Sequence, residues 1–141
     1  MAGISAFPLI NDTLHGAFGT ECTYEAASDV LAGQVVQINS SGKIAPATAS
    51  SQKIIGVAIY DIPSGTEGAV RVVGVARCAN GDASTAITAG APVTAGAPVT
   101  AGTLGGVVAA STGAYLGVAL EPIAGGATGL VTVTPGFNTT S

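Results

Sequence analysis

The chain of 141 residues has room for one domain with its own core and not for two independent ones. Only 9 % of its residues are charged, against roughly 25 % in ordinary soluble domains, while 48 % are hydrophobic, a balance that excludes intrinsic disorder. The net charge of −4 leaves four scattered cations, Lys43, Lys53, Arg71 and Arg77, too few to form the basic patch that nucleic-acid binding needs.

Residues 1 to about 28 read as an extended N-terminal arm. They hold Ile4, Phe7, Leu9, Ile10, Leu14 and Phe18 with no period of 2 or 3.6, interrupted by Pro8 and Gly16. The beginning has neither a basic n-region nor a sustained apolar run, so no conventional signal peptide is expected. The stretch "TYEAASDVLAG", Thr23 to Gly33, is readable either as the start of a short helix or as a turn leading into a strand.

Residues 29 to 136 read as a single β domain. "GQVVQIN" is β-branched and ends in "SSGK", a hairpin-type turn. "KIAPA" follows, then "KIIGVAIYDI", an apolar run of strand length, the turn "PSGTEG", and the alternating "AVRVVGVARC". In the last of these Val70 and Val72 share one face, and Arg71, Val73 and Val75 the other. Recurrent glycines and β-branched residues disfavour helix throughout.

From about 86 to 136 the same order returns. "ITAGAPVTAGAPVTAG" duplicates the hexapeptide Ala89–Thr94 at Ala95–Thr100, with Pro92 and Pro98 suited to edges or turns. "GGVVAA" then echoes "GKIAPA", "YLGVAL" echoes "IIGVAI", "GGATG" echoes "SGTEG", and "LVTVTPG" echoes "AVRVVG". Gly56, Val57 and Ala58 thus return as Gly117, Val118 and Ala119. Two related strand–turn–strand copies, about 30–78 and 86–136, predict an all-β fold, a small β-sandwich or barrel in which the copies bury one another's apolar faces. Residues 137–141 form a polar tail.

The residues that chemistry needs are sparse. His15 is the sole histidine and stands in the irregular arm, which fits a polar residue in an extended segment better than a general base. No HExxH, GxSxG or phosphate-loop pattern occurs. Asp61, Glu67, Asp82 and Glu121 fall in or near predicted turns, and "NGDAST" lacks the further acidic ligands of a calcium loop. Cys22 and Cys78 have no metal-type spacing and read as free thiols rather than a disulfide. Tyr24, Tyr60 and Tyr115 are too separated to predict a sugar platform, and the sequon at Asn138 reads as a Thr-rich end. The expectation is no enzyme, no catalytic residue, no metal and no cofactor. The apolar runs are broken well below the roughly 20 residues of a spanning helix, so no membrane partner is expected either.

The block "LAGQVVQINSSGKIAPATASSQKIIGVAIYDIPSGTEGAVRVVGVARC", with its second copy, resembles the small capsid decoration, or cement, proteins of tailed bacteriophages. The resemblance covers roughly residues 30 to 136. It implies a β-rich virion protein, made in the host cytoplasm, that binds the major capsid protein on the capsid exterior, associates as a homotrimer and stabilises the shell. The arm has no counterpart in the second copy, and its Ile4, Phe7, Leu9, Ile10, Leu14 and Phe18 are expected to anchor it to a neighbour, either the capsid or an adjacent subunit, because exposed they forgo roughly 1.5–3 kcal/mol each. The competing expectations are that the arm folds back as an extra strand, and that the domain is a carbohydrate-binding or adhesin-like surface module.

Overall fold

A computed structural model describes residues 19–48, 51, 53–82, 84–95, 106–110 and 113–138. Among them there is no helix, and the strands form antiparallel sheets that do not close into a barrel, so the fold is a β-sandwich. The first strand, β1 (Gly19–Glu25), lies within the stretch expected as an arm, and "TYE" continues it, so the helical reading of Thr23–Gly33 is not what forms. It pairs with β5 (Glu67–Ala79), which also pairs with β4 (Ile54–Ala58); β4 in turn pairs with β2 (Val35–Ile38), and β2 with β3 (Ile44–Pro46).

The second half uses β6 (Pro92–Ala95), β7 (Val107–Ala109), β8 (Gly113–Tyr115), β9 (Gly117–Val118), β10 (Thr128–Val133) and β11 (Gly136–Asn138). β6 pairs with β7 and β9, β10 pairs with β5, and β11, which takes in Phe137 and Asn138 of the expected tail, pairs with β8. Of the duplicated hexapeptide, the first occurrence supplies β6, while residues 96–105 lie outside the described set.

The echo in sequence is an echo in hydrogen bonds. Val30 and Ile62 exchange both backbone bonds at 3.0 and 2.8 Å, and Ile87 and Ile123 do the same at 2.9 Å each. The Gly33 amide donates to Ala58, and the Gly90 amide to Ala119; both glycines are left-handed, at φ +89° and +83°. Ala26 bridges Ile44 in parallel as Asn80 bridges Val107. At Gly56 a Cβ would collide with the Arg71 carbonyl, and at Gly117 with that of Thr132, so glycine recurs because strand backbones touch there.

These pairings make the repeating unit longer than the sequence suggested. β1 pairs with the first half of β5, from Glu25 opposite Glu67 to Gly19 opposite Gly74. The second half of β5 pairs with β10, from Ala79 opposite Thr128 to Gly74 opposite Val133. The 13-residue β5 is therefore the last strand of the first repeat and the first strand of the second. Cys22, Tyr24 and Ala26 correspond in this way to Ala76, Cys78 and Asn80.

Two buried clusters follow. The smaller contains Ala26, Val30, Val36, Ile44, Ala58, Ile62 and Val70, all from the first repeat. The larger contains their counterparts Ile87, Val93, Val107, Ala119, Ile123 and Val131, and it also takes in Val35, Ala47, Ile54 and Val57 of the first repeat. Successive residues of β2 and β4 thus enter different clusters. Burial on both faces explains why "KIIGVAI" reads as an unbroken apolar run.

Candidate interaction surfaces

The six arm residues Ile4, Phe7, Leu9, Ile10, Leu14 and Phe18 lie outside the described residues, as does His15. The described residues begin immediately after them, at β1. Gly19 sits against the middle of β5, where a Cβ would strike the Val73 carbonyl and crowd the Arg71 side chain. The register slips between Thr20 and Glu21, a bulge that sets Glu21 opposite Arg71.

Arg71 is wholly buried, which the alternating pattern of β5 did not foretell. Its Nε and Nη2 donate to Glu21 Oε2 at 3.2 and 3.1 Å, and its Nη1 donates to the Val75 carbonyl at 2.9 Å. The charge is thereby paired and hydrogen-bonded, which makes burial tolerable. Its counterpart Thr132 holds the second repeat at smaller scale: its hydroxyl accepts the Val118 amide at 2.9 Å.

The carboxylates singled out in the sequence bind backbone or face water and do not converge. Asp61 accepts the Ala32 amide at 2.9 Å, and Glu121 accepts the Leu130 amide at 2.8 Å with Arg77 at 4.0 Å. Glu67 is exposed opposite Glu25. Asp82 accepts the amide and hydroxyl of Ser84 and the amide of Thr85, and these bonds, led by the Ser84 amide, lower its pKa.

Asn80, fully buried, knits the same loop. Its amide nitrogen donates to the carbonyls of Thr85 and Ile123 at 2.8 and 3.1 Å, and its oxygen accepts the Asp82 amide. A small recess lies beside these residues, walled by Ile87, Val108 and Ala109. Asn80 and Asp82 thus spend their polar atoms on neighbouring backbone and the Ser84 hydroxyl. Among the described residues no three His, Cys, Asp or Glu side chains cluster as metal ligands would.

Cys22 is exposed and Cys78 buried, and both are free. Tyr24 on β1 and Tyr115 on β8 are half-buried, and Tyr60 is exposed in the bend after β4. What the outside offers instead is apolar. Leu31, Tyr60, Val73, Val118 and Leu120 are the large hydrophobic side chains left exposed among the described residues. Sequence reasoning missed Val118 and Leu120, because their echoes Val57 and Ile59 are fully buried and nothing local separates the two pairs.

Comparison with known proteins agrees with the β-rich fold. No curated protein matches the chain. A solved structure, the N base of the head fiber gp8.5 of bacteriophage phi29, matches with a TM-score of 0.61 at 19 % identity, covering 82 % of this chain and 93 % of that one. That likeness establishes the fold. The family described as phage cement protein matches residues 15–135, nearly all of both repeats. The chain belongs to the phage cement protein family, and is a structural, capsid-associated protein of a bacteriophage virion.

Proposed function

We propose that this protein decorates the exterior of a bacteriophage capsid, binds the major capsid protein and stabilises the shell as a homotrimer, with residues 1–14 as its anchor. The observation that carries the anchor is where the family match begins. It starts at residue 15, so Ile4, Phe7, Leu9, Ile10 and Leu14 are additional to the matched domain, and Phe18 sits at the junction just ahead of β1. An extended apolar segment binds by adding to a sheet edge and seating side chains in pockets, and many copies on one shell turn modest contacts into tight attachment.

The capsid exterior as the place of action, synthesis in the host cytoplasm, and a role that is not enzymatic all belong to this reading. The low charge and the exposed apolar side chains support self-association. The test is deletion of residues 1–14 and co-sedimentation of the truncated protein with undecorated particles. The expected result is a folded protein that no longer sediments with them. Undiminished binding would remove the anchor from the proposal.

A further inference from the structure

The two repeats treat their sheet faces unequally. The outer face of the first repeat carries Val35, Ala47, Ile54 and Val57, none more than 8 % exposed, all inside the larger cluster. There they meet the second repeat's own core, including Leu116 and Val133. The first repeat's outer face is therefore a lid on the second repeat's inner face. The counterparts of the lid residues are Pro92, Ala110, Tyr115 and Val118, and all four are half-buried or exposed. Val118 is 36 % exposed where Val57 is 0 %, and Leu120 is 48 % exposed where Ile59 is 0 %.

The other side of that internal contact is also left open once. Cys78, Leu116 and Val133, which the lid helps to cover, are at most 1 % exposed. Their first-repeat counterparts Tyr24, Ile55 and Val72 are only partly buried, at the rim of the smaller cluster. One molecule therefore presents an unused lid on its second repeat and an unlidded rim on its first.

The geometry points to a head-to-tail contact between two copies of this chain, in which Tyr115 and Val118 of one molecule cover Tyr24, Ile55 and Val72 of the next. The occupant is a second copy because the chain already contains this contact once, between matching surfaces of its own repeats. The two surfaces differ, so the interface is heterologous, and its repetition closes a ring when the rotation per molecule permits. This deepens the self-association reading and rests on it, while making no use of the capsid or of residues 1–14.

The test is complementation, with the purified full chain followed by sedimentation velocity. Val118→Asp puts a carboxylate on the lid, and Tyr24→Asp puts one on the rim. Wild type is expected as an oligomer and each variant as a monomer. Their equimolar mixture is expected to form a dimer and stop there, because each variant retains one competent surface. A monomeric wild type, variants that associate like wild type, or a mixture that stays monomeric would each overturn the proposal. Should Tyr24→Asp fail to fold by circular dichroism, the milder Tyr24→Ser carries the same test. Particle binding, measured separately on the protein lacking residues 1–14, reports on the capsid reading, so either can fail while the other stands.

Discussion

Arg71 and Glu21 decide how β1 is held. A guanidinium with no exposure, fixed to one carboxylate and one carbonyl, becomes an uncompensated buried charge when that carboxylate is lost. Glu21→Gln is expected to lower stability by about 3 kcal/mol in urea unfolding. The double change Glu21→Leu with Arg71→Met is expected to recover most of the loss, since apolar residues of similar volume avoid the desolvation cost. A double variant no better than the single one would show that the ion pair stabilises in its own right. Glycine gives a second contrast at this scale. Gly56→Ala and Gly117→Ala drive a methyl into backbone carbonyls, whereas Gly42→Ala, at φ +79° with open space around it, meets only the left-handed penalty of about 1 kcal/mol. Both of the former are expected to exceed the latter in thermal unfolding.

The cysteines separate in the same residue-level way. Burial pushes the Cys78 thiol up to about 12 from 9.0, so it stays protonated in the folded protein while Cys22 is open to solvent. One thiol per chain is expected to react with a disulfide reagent at pH 8, and the second only on unfolding. The raised pKa also sets an alkaline limit. Its stabilisation is whole below pH 9, where both states are protonated, and is lost as pH rises from 9 toward 12 because only the unfolded thiol ionises. Cys78→Ala is expected to flatten that alkaline decline in urea midpoints measured from pH 8 to 11.

At the scale of elements, the strands were legible and their partners were not. Alternation and turn glycines marked β2, β3, β4, β5, β7 and β10, and the repeated phrase marked the duplication. What escaped was the start of the repeat. The counterpart of "TECTYE" is "GVARCA", two segments with no residue in common at matched positions, because one sits at a sheet margin and the other inside a core. The apolar positions of the interaction surface escaped for the converse reason. Val57 and Val118 are one letter in one motif, and only the stacking of one repeat on the other buries the first and leaves the second exposed. The burial of Arg71 escaped because its partner, Glu21, is remote in sequence and meets it only through the bulge in β1.

Taken whole, the molecule has one continuous strand through two cores. Val70 of β5 belongs to the smaller cluster, and Ala76 and Cys78 of the same strand belong to the larger. With the first repeat's lid residues packed inside the second repeat's cluster, neither repeat is expected to melt alone. Loss of far-UV dichroism and exposure of the Cys78 thiol are expected to coincide in a single urea transition. Two separated midpoints would show that the repeats are independent.

The shared strand also sets an order in time during synthesis. The first repeat has all its strands once the chain has been made to Gly74, but β5 runs on to Ala79, and the partner of that extension is β10, which begins at Thr128. At about 5–20 residues per second, several seconds pass on the ribosome before Thr128 follows. Throughout that interval a finished half-molecule projects an unpaired strand end, with Cys78 and the lid residues Val35 and Val57 still uncovered. A nascent chain halted after Ala79 is therefore the species most apt to pair with the wrong neighbour, and crowding many ribosomes on one message at the height of infection brings such neighbours close.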